Sequence, residues 1–200
     1  MNFALYDLAK FTINIAGKAL WRTRVYGTGN VPADGPLIVA CNHRSYLDPP
    51  MLGTYCPRRL AYMAKAELFT IPVLGAAIRA VGAYPVDREG SSTAAIKRSL
   101  EVLRAGGAIG IFPEGTRNLD GTVQAHEGVA LLASLSKAPV VPAALVGTAD
   151  AKRFHQIKVA FGTPLRLPAD RKATREDLAK FTDDVMSAIA ALAESIGGNS

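Results

Sequence analysis

From residue 24 onward, short, mostly apolar runs of four to seven residues alternate with stretches whose apolar positions return every three or four residues. The runs at 24–27, 36–41, 60–64, 83–86, 108–112, 140–146 and 157–161 read as strands. Between them Ser92 stands where a helix cap belongs, ahead of Ile96, Leu100 and Leu103. Thr174 with Asp177 makes a capping box ahead of Leu178, Phe181, Val185, Ile189 and Leu192. Strands that alternate with helices predict an α/β fold: a mostly parallel or mixed sheet covered by helices. No repeat, low-complexity tract or linker divides it, and the closing Gly-Gly-Asn-Ser is expected to fray.

The first 22 residues, MNFALYDLAKFTINIAGKALWR, form a different pattern. At the helical 100° per residue, Ala4, Leu8, Phe11, Ile15 and Ala19 make an apolar stripe, and Asp7, Lys10, Asn14 and Lys18 a narrow polar one. Those charges leave no uncharged apolar stretch of the ~18 residues a spanning helix needs. Asp7 comes early and basic residues follow the apolar part, the reverse of a secretory signal. Such a helix either packs on the domain or lies in a membrane interface. The expected organisation is an amphipathic, membrane-interfacial helix over 1–23 and a single αβ domain over 24–200.

Composition narrows the partners. Hydrophobic residues make up 49% of the 200 and charged residues 20%, which excludes a disordered chain. A net charge of +6 favours anionic partners: nucleic acid, an acidic membrane surface or a phosphorylated substrate. Aromatics reach only 7%, and no basic helix or aromatic-laced strand is present, so nucleic acid is not expected. Cys41 and Cys56 have no CxxC spacing and read as structural residues in a reduced, cytoplasmic setting.

In open α/β sheets ligands bind beyond the carboxyl ends of the strands. Three polar clusters hang from such ends: CNHRSYLD after LIVA, PEGTRN after AIGIF, and Asp87-Arg88 after AYPV. His43 and Asp48 would stand about 140° apart on a continuous helix, so they are expected to straddle a turn, with Asp48 at or just inside a helix start. There the carboxylate fixes the imidazole tautomer and makes His43 a general base. The alternative is a loop histidine beside a capping aspartate.

No GxSxG elbow, zinc-ligand spacing, Walker loop or complete dinucleotide fingerprint occurs; His126 and His155 stand without metal-ligating company. With no protein nucleophile in view, His43 is expected to deprotonate a substrate hydroxyl or water. In FPEGTRN, the backbone at Gly115, the Thr116 hydroxyl and the Arg117 guanidinium suit a phosphate, with Lys65 and Arg88 at neighbouring strand ends. The alternative there is a surface pair between Arg117 and Glu114.

Asn42-His43-x-x-x-x-Asp48 followed by Phe112-Pro113-Glu114-Gly115-Thr116-Arg117 resembles the glycerolipid acyltransferase family, the lysophosphatidate acyltransferases. Ala64-Lys65-Ala66-Glu67-Leu68-Phe69, Gly82-Ala83-Tyr84-Pro85-Val86-Asp87-Arg88 and Val141-Pro142 extend the likeness over roughly residues 24–165. The resemblance implies acyl transfer from acyl-CoA or acyl carrier protein to the free hydroxyl of 1-acylglycerol-3-phosphate, giving phosphatidic acid. It implies His43 as base with Asp48 as its partner, and Lys65, Arg88, Glu114, Gly115, Thr116 and Arg117 as residues binding phosphate or glycerol. It also implies no metal or other cofactor, a lysophospholipid acceptor, and attachment to an anionic membrane surface on its cytoplasmic face.

The chain departs from the family pattern at Ala66 and at Gln124-Ala125-His126-Glu127-Gly128, where many relatives carry cations. Other acceptors therefore stay open: glycerol-3-phosphate, another lysophospholipid or a glycolipid. So do thioester hydrolysis and a lipid-binding protein without turnover.

Overall fold

The computed structural model describes residues 3–86, 92–118, 123, 125–168 and 173–197. The strands are β1 (Arg24–Tyr26), β2 (Leu37–Cys41), β3 (Leu60–Lys65), β4 (Ala83–Val86), β5 (Ala108–Ile111), β6 (Val140–Val146) and β7 (Lys158–Phe161). They form one seven-stranded sheet in the order β1-β7-β6-β2-β5-β3-β4, mixed because β6 and β7 pair antiparallel and the other neighbours parallel. β2 and β5 lie at the centre and are buried along their whole length, which is why they read as unbroken apolar runs rather than as alternation.

The helices are α1 (Phe3–Trp21), α2 (Asp48–Tyr55), α3 (Pro72–Ala80), α4 (Ser92–Arg104), α5 (Gly128–Ser136) and α6 (Arg175–Ser195). Each face of the sheet has its own core. Leu37, Val39 and Cys41 of β2 pack with Met51 and Leu52 of α2, while Ile38 and Ala40 pack with Leu103, Leu132, Val185 and Ile189 from α4, α5 and α6. The capping box of α6 is formed: Thr174 Oγ1 accepts from the Asp177 amide at 3.2 Å, and the Asp177 carboxylate accepts from the Thr174 amide at 2.7 Å. Such a cap is worth ~1 kcal/mol.

α1 docks on the α2 side by the face that looked least suited to a core. The Tyr6 hydroxyl donates to Gly53 O and accepts from the Leu60 amide, Lys10 Nζ donates to Cys56 O at 2.6 Å, and Trp21 Nε1 donates to Ala151 O at 2.7 Å. Gly17 is buried because Tyr55 leaves no room there for a Cβ. These anchors turn the apolar stripe outward: Leu8, Phe11 and Ile15 are 59%, 63% and 53% exposed. Ile71, Val73 and Leu74 at the start of the adjoining α3 are exposed as well. Among the described residues no helix is long and apolar enough to cross a membrane.

Candidate active site

Parallel pairing sets Ala40 of β2 opposite Ile111 of β5, so the two strands end side by side and their loops leave the sheet together. Asn42 prolongs the ladder with its side chain: Nδ2 donates to Leu145 O at 2.9 Å and Oδ1 accepts from Leu145 N at 2.8 Å. The next residue, His43, is held by both of its main-chain groups. Its amide donates to Glu114 Oε2 at 2.7 Å, and its carbonyl accepts from the Asn118 amide at 2.7 Å. Asn118 Nδ2 in turn donates to Glu114 Oε1 at 3.0 Å. The buried Glu114 therefore uses both carboxylate oxygens to brace the first cluster from the second. The tight turn that brings it there needs a left-handed residue, supplied by Gly115 at φ 65°, against which the His126 ring packs.

The chain then reverses, and α2 opens at Asp48. Pro49 and Pro50 stand in its first turn, where amides have no intrahelical acceptor to lose. Asp48 is fully buried, and its Oδ2 accepts from the amides of Arg44 and Ser45, each at 2.6 Å, and from His43 Nδ1 at 3.0 Å. An ionised carboxylate can only accept, so Nδ1 carries the ring proton and Nε2 presents its lone pair. Nε2 has no hydrogen-bond partner among the described residues, and the His43 side chain is 17% exposed. Phe112 packs on the imidazole with ring centroids 4.4 Å apart and is backed by Tyr62 at 6.4 Å. The ring is thus fixed in plane, tautomer and position, as a general base requires.

Burial pushes the Glu114 carboxyl above its ordinary value, partly offset by the bonds from Asn118 and the His43 amide. Burial also pushes the Cys41 thiol well up, and the charges of Asp48 and Glu114 add to the effect. Cys41 is held as a thiol under the site, where it is inert as a nucleophile.

The other expected residues take separate places. The surface pair between Arg117 and Glu114 is not formed. Glu114 is engaged below, and the Arg117 guanidinium lies over the Tyr46 ring, 3.8 Å from its centroid. Arg117 donates no side-chain hydrogen bond among the described residues. Thr116 is exposed beside it, and Lys65 is exposed at the end of β3, the strand flanking β5. Arg88 lies outside the described residues. Of the loop amides, that of Gly115 is taken by Phe112 O at 2.9 Å.

Asn42, Phe112, Asn118 and Tyr46 complete the site: the sequence offered the first two only as motif positions without a role, and did not single out the other two. Asn118 left one signal, its place directly after the EGTR motif and four residues from Glu114. Tyr46 left none, because its partner is 71 positions away.

A family model described as "Acyltransferase" matches residues 22–146. The 1-acyl-sn-glycerol-3-phosphate acyltransferase of Bacillus subtilis (strain 168) is 36% identical over 166 residues, covering 80% of this chain and 82% of the relative. Its namesake in Streptococcus pneumoniae is 30% identical over 76% of this chain, which spans 59% of that protein. Among solved structures, the 1-acyl-sn-glycerophosphate (LPA) acyltransferase PlsC from Thermotoga maritima superposes with a TM-score of 0.76 at 26% identity, covering 98% of this chain and 81% of that one. The match runs from just before β1 to the end of β6 and takes in both loops that meet at His43, and the chain belongs to the Acyltransferase family.

Proposed function

We propose that this chain transfers an acyl group from acyl-CoA or acyl carrier protein to the free hydroxyl of 1-acylglycerol-3-phosphate, releasing phosphatidic acid, with His43 as general base. The observation that carries the reading is the 3.0 Å bond between His43 Nδ1 and Asp48 Oδ2, which leaves Nε2 without a hydrogen-bond partner among the described residues, on the turn whose Tyr46 carries Arg117. The names of the relatives support the acceptor.

The reaction balances without a covalent enzyme intermediate. His43 Nε2 takes the hydroxyl proton as the acceptor oxygen attacks the thioester carbonyl carbon. The tetrahedral oxyanion collapses, the carbon–sulfur bond breaks, and the imidazolium returns the proton to the departing thiolate. Asp48 stabilises the imidazolium between the two steps. Arg117 suits the acceptor phosphate, since its fork of donors matches two phosphate oxygens. Lys65, Thr116 and Arg88 stand or follow at neighbouring strand ends and join this role. Glu114 serves it indirectly, by fixing the backbone that carries His43. Neither metal nor other cofactor enters these steps.

The place of action in this reading is an anionic membrane surface on its cytoplasmic face, where both substrates meet. The outward residues of α1 and α3 support it.

The test is an acceptor panel with labelled acyl donor and mass-spectrometric identification of products. It offers lysophosphatidate, glycerol-3-phosphate, a neutral lysophospholipid and a glycolipid. Acylation of lysophosphatidate, with thiol release that depends on it, is the expected result. His43→Ala and Asp48→Asn are expected to lower kcat by ~10²- to 10⁴-fold. Unchanged turnover in His43→Ala would remove the base assignment, and thiol release indifferent to acceptor would make the protein a hydrolase.

A further inference from the structure

Arg117 reaches the rim of the site with no hydrogen bond or ion pair to hold its guanidinium among the described residues. An unrestrained arginine visits many rotamers, and the freedom lost on gripping a ligand weakens the grip. Among the described residues, what restrains Arg117 is the stack of its guanidinium on the Tyr46 ring at 3.8 Å from the centroid. Tyr46 is 75% exposed, so burial of a core residue does not explain its aromatic ring. The ring stands on the turn between His43 and Asp48, whose amides at Arg44 and Ser45 are pinned to the Asp48 carboxylate. It is therefore tied to the same framework that fixes the base.

Stacking has a directional consequence. It occupies one face of the planar guanidinium and leaves the N–H donors, which lie in the plane, pointing outward along its edge. An anion approaching edge-on then meets a fork already set in orientation.

We propose that Tyr46 is a positioning residue for the acceptor phosphate: it holds Arg117 at a fixed distance and angle from His43, and so helps decide which lipid hydroxyl reaches Nε2. This rests on the reading of Arg117 as the phosphate ligand. The π-face is the working part, so Phe or Trp at 46 preserves the function and Leu, apolar but without a ring, does not. The turn therefore supplies the ring that aims the arginine as well as the carboxylate that orients the base.

The experiment measures KM and kcat for lysophosphatidate at saturating acyl donor in Tyr46→Ala, Tyr46→Leu, Tyr46→Phe, Arg117→Ala and the Tyr46→Ala/Arg117→Ala double variant. An exposed cation–π contact corresponds to a rise in KM of roughly two- to fivefold in Tyr46→Ala and Tyr46→Leu. The loss falls on KM rather than kcat, and Tyr46→Phe restores the wild-type value. The double variant matches Arg117→Ala, because an aim without an arrow has no effect. Tyr46→Ala with unchanged KM, Tyr46→Leu equal to wild type, or additive losses in the double variant would each overturn the positioning role. If Arg117→Ala itself leaves KM unchanged, the phosphate reading falls instead, and the two failures are told apart.

Discussion

At the scale of the residue, the most informative side chain is Glu114. It touches neither His43's imidazole nor a free surface; its oxygens accept from the His43 amide and from Asn118. Glutamine would keep one acceptor and place an NH₂ against a donor at the other bond, which loosens the loop that carries His43. Glu114→Gln is expected to lower kcat about 10- to 100-fold, the scale of a small displacement of a catalytic group. A pH dependence follows from the upward push on the Glu114 carboxyl. The folded protein binds its proton more readily than the unfolded chain, so this group's contribution to stability is full below the ordinary value of 4.5 and is lost as pH rises through the higher folded-state value. The difference in unfolding free energy, wild type minus Glu114→Gln, should therefore widen as pH falls from neutrality. Urea denaturation at several pH values measures it, and a gap that narrows would contradict the burial of this carboxyl.

At the scale of the element, β5 shows how one strand serves both stability and chemistry. A Cβ at Gly110 would run into the Tyr62 ring, and Tyr62 backs Phe112, which lies on the imidazole. The glycine is thus the floor of an aromatic stack ending at His43. Gly110→Ala must displace Tyr62, a buried overpacking that costs ~1–3 kcal/mol. It should also lower kcat in the molecules that stay folded. A denaturant midpoint and turnover equal to wild type would mean that the stack does not support His43. α2 makes the complementary point: Pro49 and Pro50 open it at Asp48, and any later start would withdraw the carboxylate from the imidazole.

At the scale of the molecule, the site and the outward apolar surface have opposite chemistry. Leu8, Phe11 and Ile15 on α1 and Val73 on α3 are presented to the surroundings, although an ordinary globular protein would bury a stripe of this kind. Lys10 is tied to Cys56 O, while Lys18, Arg22 and Arg24 are exposed. Each exposed cation near an anionic bilayer adds ~1 kcal/mol, diminished by salt. Leu8→Glu with Phe11→Glu should leave the fold intact and weaken sedimentation with vesicles of anionic phospholipid at least ~100-fold, since each large apolar side chain moved from water contributes ~1.5–3 kcal/mol. Unchanged sedimentation would assign the stripe to another partner.

By itself the sequence determined the seven strands, the helices α1, α4 and α6, the capping box of α6 and the presence of His43, Asp48 and the EGTR motif at strand ends. These are local features: periodicity, caps and turn residues act over a few positions, and unbroken apolar runs report burial on both faces. Only the tertiary structure decided what faces what. The amphipathic pattern of α1 located the stripe but not its direction, because the helix is held by Tyr6, Lys10, Gly17 and Trp21 through contacts with α2, β3 and the segment before β7. Likewise Glu114, expected to bind phosphate or glycerol with a surface pair to Arg117 as the alternative, becomes a brace in space. Its partners lie both 4 and 71 positions away, and parallel pairing of β2 with β5 brings the distant one within a hydrogen bond. Long-range register, which no local pattern encodes, turned two separate motifs into one site.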